Sequence, residues 1–100
     1  MTWVRAASVS EIASGECKTV NVQGKALALY NVNGTFACTD NTCLHRGGPL
    51  GEGMLDGGVV TCPWHGWQYN VKSGACYVNN ALTLKTYPTK TEGNDVMVEL

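Results

Sequence analysis

Two of the chain's five cysteines stand beside its only two histidines. Cys43 and His45 form one pair, with a single residue between them. Cys62 and His65 form the other, with Pro63 and Trp64 between them, and sixteen residues separate His45 from Cys62. A thiolate and a neutral imidazole are metal ligands before anything else, and four of them in two short loops make a complete set for a metal centre. Four unrelated residues, with the cysteines buried and the histidines on the surface, would require both histidines to fall beside a cysteine by accident. Tetrahedral zinc accepts two sulfurs and two nitrogens, but zinc fingers pair cysteine with cysteine and histidine with histidine, at two to four and three to five intervening residues. Here each loop supplies one of each, so the spacing argues against a closed zinc site.

The pattern Cys-x-His, about sixteen residues, Cys-x-x-His resembles the signature of Rieske [2Fe–2S] proteins, in which two histidines replace two cysteines on one iron. The flanks are similar as well: Arg46-Gly47-Gly48-Pro49-Leu50 after the first pair and Gly66-Trp67 after the second. The resemblance implies a Rieske [2Fe–2S] cluster, one per chain, with Cys43 and Cys62 on the inner iron and His45 and His65 on the outer iron. Two ferric ions, two sulfides and two thiolates sum to zero, so the protein's formal charge of −1 would become −2 on reduction. Neutral imidazole in place of thiolate makes that electron easier to accept, and Rieske potentials accordingly span roughly −150 to +300 mV. Ferric iron also makes its imidazoles stronger acids, so the midpoint potential is expected to fall at alkaline pH. Gly47, Gly48 and Gly66 are candidates for close approach of backbone N–H groups to sulfur.

Departures from the Rieske proteins of cytochrome bc-type complexes are informative. The two extra cysteines that bridge the cluster loops there would fall at Gly48 and Trp64, and Trp67 occupies the place of a serine whose hydroxyl bonds a sulfide. Tyr69 matches a tyrosine that bonds a cysteine sulfur. Fewer hydrogen bonds to sulfur destabilise the more negative reduced cluster, so a potential near the low end of the range is expected. Without an N-terminal anchor, the layout looks like the soluble ferredoxins of bacterial ring-hydroxylating oxygenase systems. That resemblance implies an electron carrier rather than an enzyme, cytoplasmic and monomeric, moving electrons from a flavin-dependent reductase to a terminal oxygenase. The alternative is a small Rieske subunit like that of assimilatory nitrite reductases. Leu44, Pro49, Leu50 and Trp64 would form a mostly apolar docking tip, and Arg46 could steer a partner. Cys17, Cys38 and Cys76 are expected to pack without disulfides.

One hundred residues suffice for a single domain, and a core this small benefits from a metal staple. The five cysteines cannot all pair in disulfides. Seven basic and eight acidic residues leave no basic block for nucleic acid, and no apolar run reaches the ~18–20 residues of a membrane span.

The elements that must position the ligands read as β structure, since eleven valines and ten threonines lie in short runs broken by glycine or asparagine. Strands are expected over 2–6, 17–22, 25–32, 35–39, 59–61, 68–71, 82–87 and 95–100. Ser8-Val9-Ser10-Glu11 has capping-box spacing and predicts one helical turn. Gln23-Gly24 and Asn33-Gly34 predict tight hairpin turns, because type I′ geometry needs positive φ at both central residues. Residues 41–58, six of them glycine, read as loop. The expected architecture is an all-β Rieske fold, an antiparallel sandwich- or barrel-like base domain. It spans 1–100 as one domain with the cluster-binding loops, about 41–70, inserted.

Overall fold

A computed structural model describes residues 2–45, 47–64 and 66–100. The described residues form three antiparallel sheets. Strands β1 (Trp3–Ser8), β10 (Asp95–Glu99) and β9 (Thr89–Glu92) form one, in that order; β2 (Cys17–Val22), β3 (Lys25–Val32), β4 (Thr35–Asp40) and β8 (Thr86–Tyr87) form the second; β5 (Met54–Asp56), β6 (Val59–Thr61) and β7 (Gln68–Asn70) form the third. The all-β expectation holds. Two 3₁₀ turns, Val9–Glu11 and Leu50–Glu52, are the helical elements among the described residues.

Local chemistry accounts for the first half. Glu11 accepts the Ser8 N–H at 2.9 Å, closing the turn that the capping-box spacing predicts. Gln23 and Gly24 have φ of 52° and 81°, and Asn33 and Gly34 have 53° and 91°, so both hairpins turn where expected. The β3 strand is buried on both faces because its residues alternate between two cores. Leu27 and Leu29 join Val20, Val22, Phe36, Cys38, Val96 and Val98 in a base core. Ala28 and Tyr30 face the other way, into a core with Cys43, Leu50, Val60, Cys62, Tyr69, Val71, Cys76 and Leu84. The central sheet is therefore a wall shared by the base and by the region that carries the ligand motifs.

The structure differs from the sequence expectation in three places. Residues 41–58 are not all loop: they contain the 3₁₀ turn Leu50–Glu52 and strand β5, which pairs with β6 around Gly57-Gly58. Glycine here forms a hairpin turn rather than a flexible stretch. The run 82–87 is divided between two partners. Leu84 donates its N–H to the Gly74 carbonyl at 2.8 Å and Thr83 bridges Ala75, leaving Thr86 and Tyr87 to pair with β4 before Pro88. Strand β9 carries no apolar alternation because it is a sheet edge, with three of its four residues exposed.

Candidate metal centre

Both ligand loops spring from the third sheet and the end of β4, and polar contacts seat them on the base. Asn41, which follows β4, accepts hydrogen bonds at Oδ1 from Thr19 Oγ1 (3.1 Å) and from the Gly51 N–H (2.7 Å), tying the first loop to β2. The Leu50 N–H donates to the Asn41 carbonyl at 2.8 Å. Cys17, half-buried on β2, places its Sγ 3.4 Å from the Gly53 carbonyl. The first loop closes on itself: the Cys43 N–H donates to the Gly48 carbonyl and the Gly47 N–H to the Cys43 carbonyl, both at 2.9 Å. In the second loop the Cys62 N–H donates to the Trp67 carbonyl at 2.7 Å, and the Trp64 N–H points at Cys62 Sγ at 3.4 Å.

The fold brings Cys43 and Cys62, nineteen positions apart, into one buried pocket, at 3 % and 2 % exposure. Both belong to the same buried cluster of side chains. Burial raises the Cys62 thiol above its ordinary pKa, opposed by the Trp64 N–H and reinforced by the Cys43 thiol. Two adjacent buried thiols are poor thiolates by themselves, and metal positive charge reverses that preference. His45 is half-buried, and its ring lies flat on the Trp67 indole, with centroids 4.4 Å apart and planes within 5°. Among the described residues no three potential ligands converge on a single ion position. A [2Fe–2S] cluster asks instead for two protein ligands on each iron. His65 and Arg46 lie outside the described residues.

Two features suit a sulfur-rich cluster. A Cβ at Gly48 would stand 2.7 Å from Cys62 Sγ and 3.1–3.2 Å from Trp64, so only glycine leaves the cysteine its place. Gly47 and Gly66, by contrast, are turn residues with φ of 76° and 73°. Tyr69, fully buried, accepts the Leu44 N–H at 3.1 Å and lies 3.3 Å from Cys43 Sγ. The phenol proton is the donor that a Cys43 thiolate would require at that distance. Burial, and next the Cys43 thiol, push the Tyr69 pKa well up, which keeps that proton in place.

A Cβ at Gly48 would also stand 3.2 Å from the Trp64 Cβ, so the two positions where the bc-type proteins have bridging cysteines lie opposite each other. The apolar tip is smaller than expected. Leu44 and Trp64 are 42 % and 50 % exposed and Pro49 is half-buried, but Leu50 is fully buried. Its side chain belongs to the core beneath the loop, because the 3₁₀ turn directs it inward. Cys38 and Cys76 are buried, and neither they nor Cys17 form a disulfide. The site contact that sequence reasoning missed is Trp67 on His45. The signal available was an aromatic residue two places after a ligand histidine, where the bc-type proteins carry serine.

Residues 2–88 match the family described as the Rieske [2Fe-2S] domain. The ferredoxin component of the naphthalene 1,2-dioxygenase system of Pseudomonas aeruginosa is 39 % identical over 99 residues, covering 98 % of this chain and 95 % of that one. The Sphingomonas yanoikuyae B1 ferredoxin superposes with a TM-score of 0.89 at 32 % identity over 99 % of both chains. A chain in a complex of reduced oxygenase and oxidized ferredoxin in carbazole 1,9a-dioxygenase superposes with a TM-score of 0.87 at 33 % identity, over 96 % of this chain and 91 % of that one. With matched sequence, matched fold and a buried thiol pair where the signature puts it, the chain belongs to the Rieske [2Fe–2S] family and is one of its ferredoxins.

Proposed function

We propose that Cys43 and Cys62 hold one iron of the Rieske cluster and His45 and His65 the other, and that the chain passes single electrons from a flavin-dependent reductase to a terminal oxygenase. When bound, such a cluster takes up and releases one electron at a potential between roughly −150 and +300 mV. The observation that carries the reading is the asymmetry of the site: the thiols are buried with Tyr69 behind them, while the histidine-bearing loop lies beside half-exposed Leu44 and Trp64. Cys43, Cys62 and Tyr69 exclude water from one end. Leu44 and Trp64 offer a small apolar surface at the other, against which a partner can dock without displacing strongly held water. The oxygenase assignment rests on relatives named as ferredoxin components of naphthalene and other dioxygenase systems, and on the ferredoxin–oxygenase complex among the structural relatives. Residues 1–100 act as one domain, with the loops of about 41–70 as its cluster-binding part. No helix among the described residues is long and apolar enough to cross a membrane. A cytoplasmic monomer is the state that fits this role.

The test is purification and reconstitution with iron and sulfide, followed by electron paramagnetic resonance (EPR) of the reduced protein. Wild type is expected to be red-brown with a Rieske signal, and to be reduced by a flavin reductase and reoxidised by a Rieske oxygenase. His45→Ala, His65→Ala and Cys43→Ser are each expected to lose that signal. An unchanged spectrum in any of them overturns the ligand set. The tuning expectation is tested separately, because a midpoint above about +100 mV contradicts a site lacking the serine hydroxyl.

A further inference from the structure

A histidine that binds iron through one nitrogen keeps a rotation about the metal–nitrogen axis, and surrounding groups decide the plane in which its ring settles. In this chain a specific group faces that ring. The indole of Trp67 lies parallel to the His45 imidazole, 4.4 Å centroid to centroid and 5° between planes. The two residues come from different loops. Trp67 is held at its backbone, where its carbonyl accepts the Cys62 N–H at 2.7 Å, and it leads directly into β7, which pairs with β6. Its side chain is half-buried against the core that contains Cys43, Cys62 and Tyr69. The indole plane is thus fixed by the second loop and laid over a ring carried by the first.

We infer that Trp67 is a positioning residue: its indole sets the plane of the His45 imidazole and shields one face of it from water. The inference rests on His45 being a cluster ligand. A flat stack constrains orientation in a way that volume alone does not, because only a planar partner resists tilting of the ring it covers. Phenylalanine keeps a plane at this position, whereas leucine and methionine fill space without one. Trp67 thereby does at the histidine what Tyr69 does at Cys43, with contact area in place of a hydrogen bond.

The experiment compares wild type with Trp67→Phe, Trp67→Leu and Trp67→Met, each reconstituted with cluster. Pulsed EPR resolves the couplings of the two coordinating imidazole nitrogens, and thermal melting is followed in parallel. The expected result is that W67L and W67M change one of the two nitrogen couplings and the g-anisotropy, while the other coupling holds. W67F is expected to keep the wild-type spectrum even though its melting temperature falls. If all three variants keep both couplings, or if W67F changes as much as W67L, the planar contact has no positioning role and the inference is overturned. A wild type without any Rieske signal overturns the ligand reading, and with it this one; a wild-type signal with unresponsive couplings overturns this one alone.

Discussion

The two cores on either side of the central sheet are built on different terms. The base core is aliphatic and aromatic apart from Cys38, and it is supplied mainly by the strands of the first two sheets other than β9: Leu27 and Leu29 from β3, Val20 and Val22 from β2, Val96 and Val98 from β10. The second core mixes similar apolar side chains with three cysteines and two tyrosines, Cys43, Cys62, Cys76, Tyr30 and Tyr69. The first is complete as a packed solid. The second is arranged around thiols that a metal would convert to thiolates, and its polar atoms are kept in register by hydrogen bonds that Asn41 accepts and by contacts of Thr39 with Tyr30 and of Tyr69 with Cys43. The same strand, β3, supplies both, so a disturbance on one face is expected to leave the other largely legible. That division predicts that stability resides mainly on one side and electronic tuning on the other.

The sharpest test of that division is Leu29→Ala, which removes a fully buried side chain from the base core. A loss of about 2–5 kcal/mol is expected in denaturant unfolding, with the cluster's spectrum and potential unchanged below the transition. A change of potential would show that the two cores are not separable. The counterpart on the other side is Gly48→Ala, whose Cβ would stand 2.7 Å from Cys62 Sγ. Overpacking of that kind costs about 1–3 kcal/mol, expected here as roughly 5- to 160-fold weaker cluster retention when iron and sulfide are counted per chain. Unfolding of the cluster-free protein should change much less.

Tyr69→Phe probes a smaller effect. It removes the hydroxyl lying 3.3 Å from Cys43 Sγ and leaves the Leu44 N–H without its acceptor. One hydrogen bond is worth roughly 1 kcal/mol, and for one electron this corresponds to a potential lowered by about 40 mV, read by redox titration. The direction follows from charge: a donor to sulfur stabilises the reduced form more, so its loss disfavours reduction.

An effect of pH rather than of packing separates the cysteines of the two cores. Burial, and then the Asp40 carboxylate, push the Cys38 thiol from 9.0 up to about 12. A thiol raised on folding contributes stability that is whole below its unfolded value and is lost as pH rises towards its folded value. Unfolding free energy should therefore decline between about pH 9 and 12, and Cys38→Ala should flatten that decline. Within the native state, Cys17 is half-buried whereas Cys38 and Cys76 are buried, so alkylation at mildly alkaline pH should reach it before either of them. Mass mapping of the adducts gives the order.

Much of this molecule was legible because its signals are local. Gln23-Gly24 and Asn33-Gly34 turn where they do because those pairs tolerate positive φ, and β2, β3 and β4 follow as the runs of six to eight residues that those turns bound. The ligand motifs are legible for the same reason, since metal chemistry limits which residue types can stand at such short spacing. What was misread depended on partners distant in sequence. The run 82–87 looks like one strand, yet it divides because Gly74 and Ala75 compete with β4 for its backbone. Strand β9 was missed because an edge strand needs no apolar face. Leu50, read as part of an exposed tip, is buried because its 3₁₀ turn rests on β2 through Asn41 and Thr19.

The sequence by itself determined the ligand types, their spacing, the hairpins and the all-β class, each a consequence of sterics or coordination chemistry acting over a few residues. Only the tertiary structure decided which groups surround the ligands. Gly48 makes room for Cys62 and Trp67 lies on His45, while Tyr69, expected from the resemblance to bond a cysteine sulfur, reaches Cys43 across 26 positions. Such contacts join loops whose relative placement depends on how the sheets beneath them pack, and no short window of sequence contains that information.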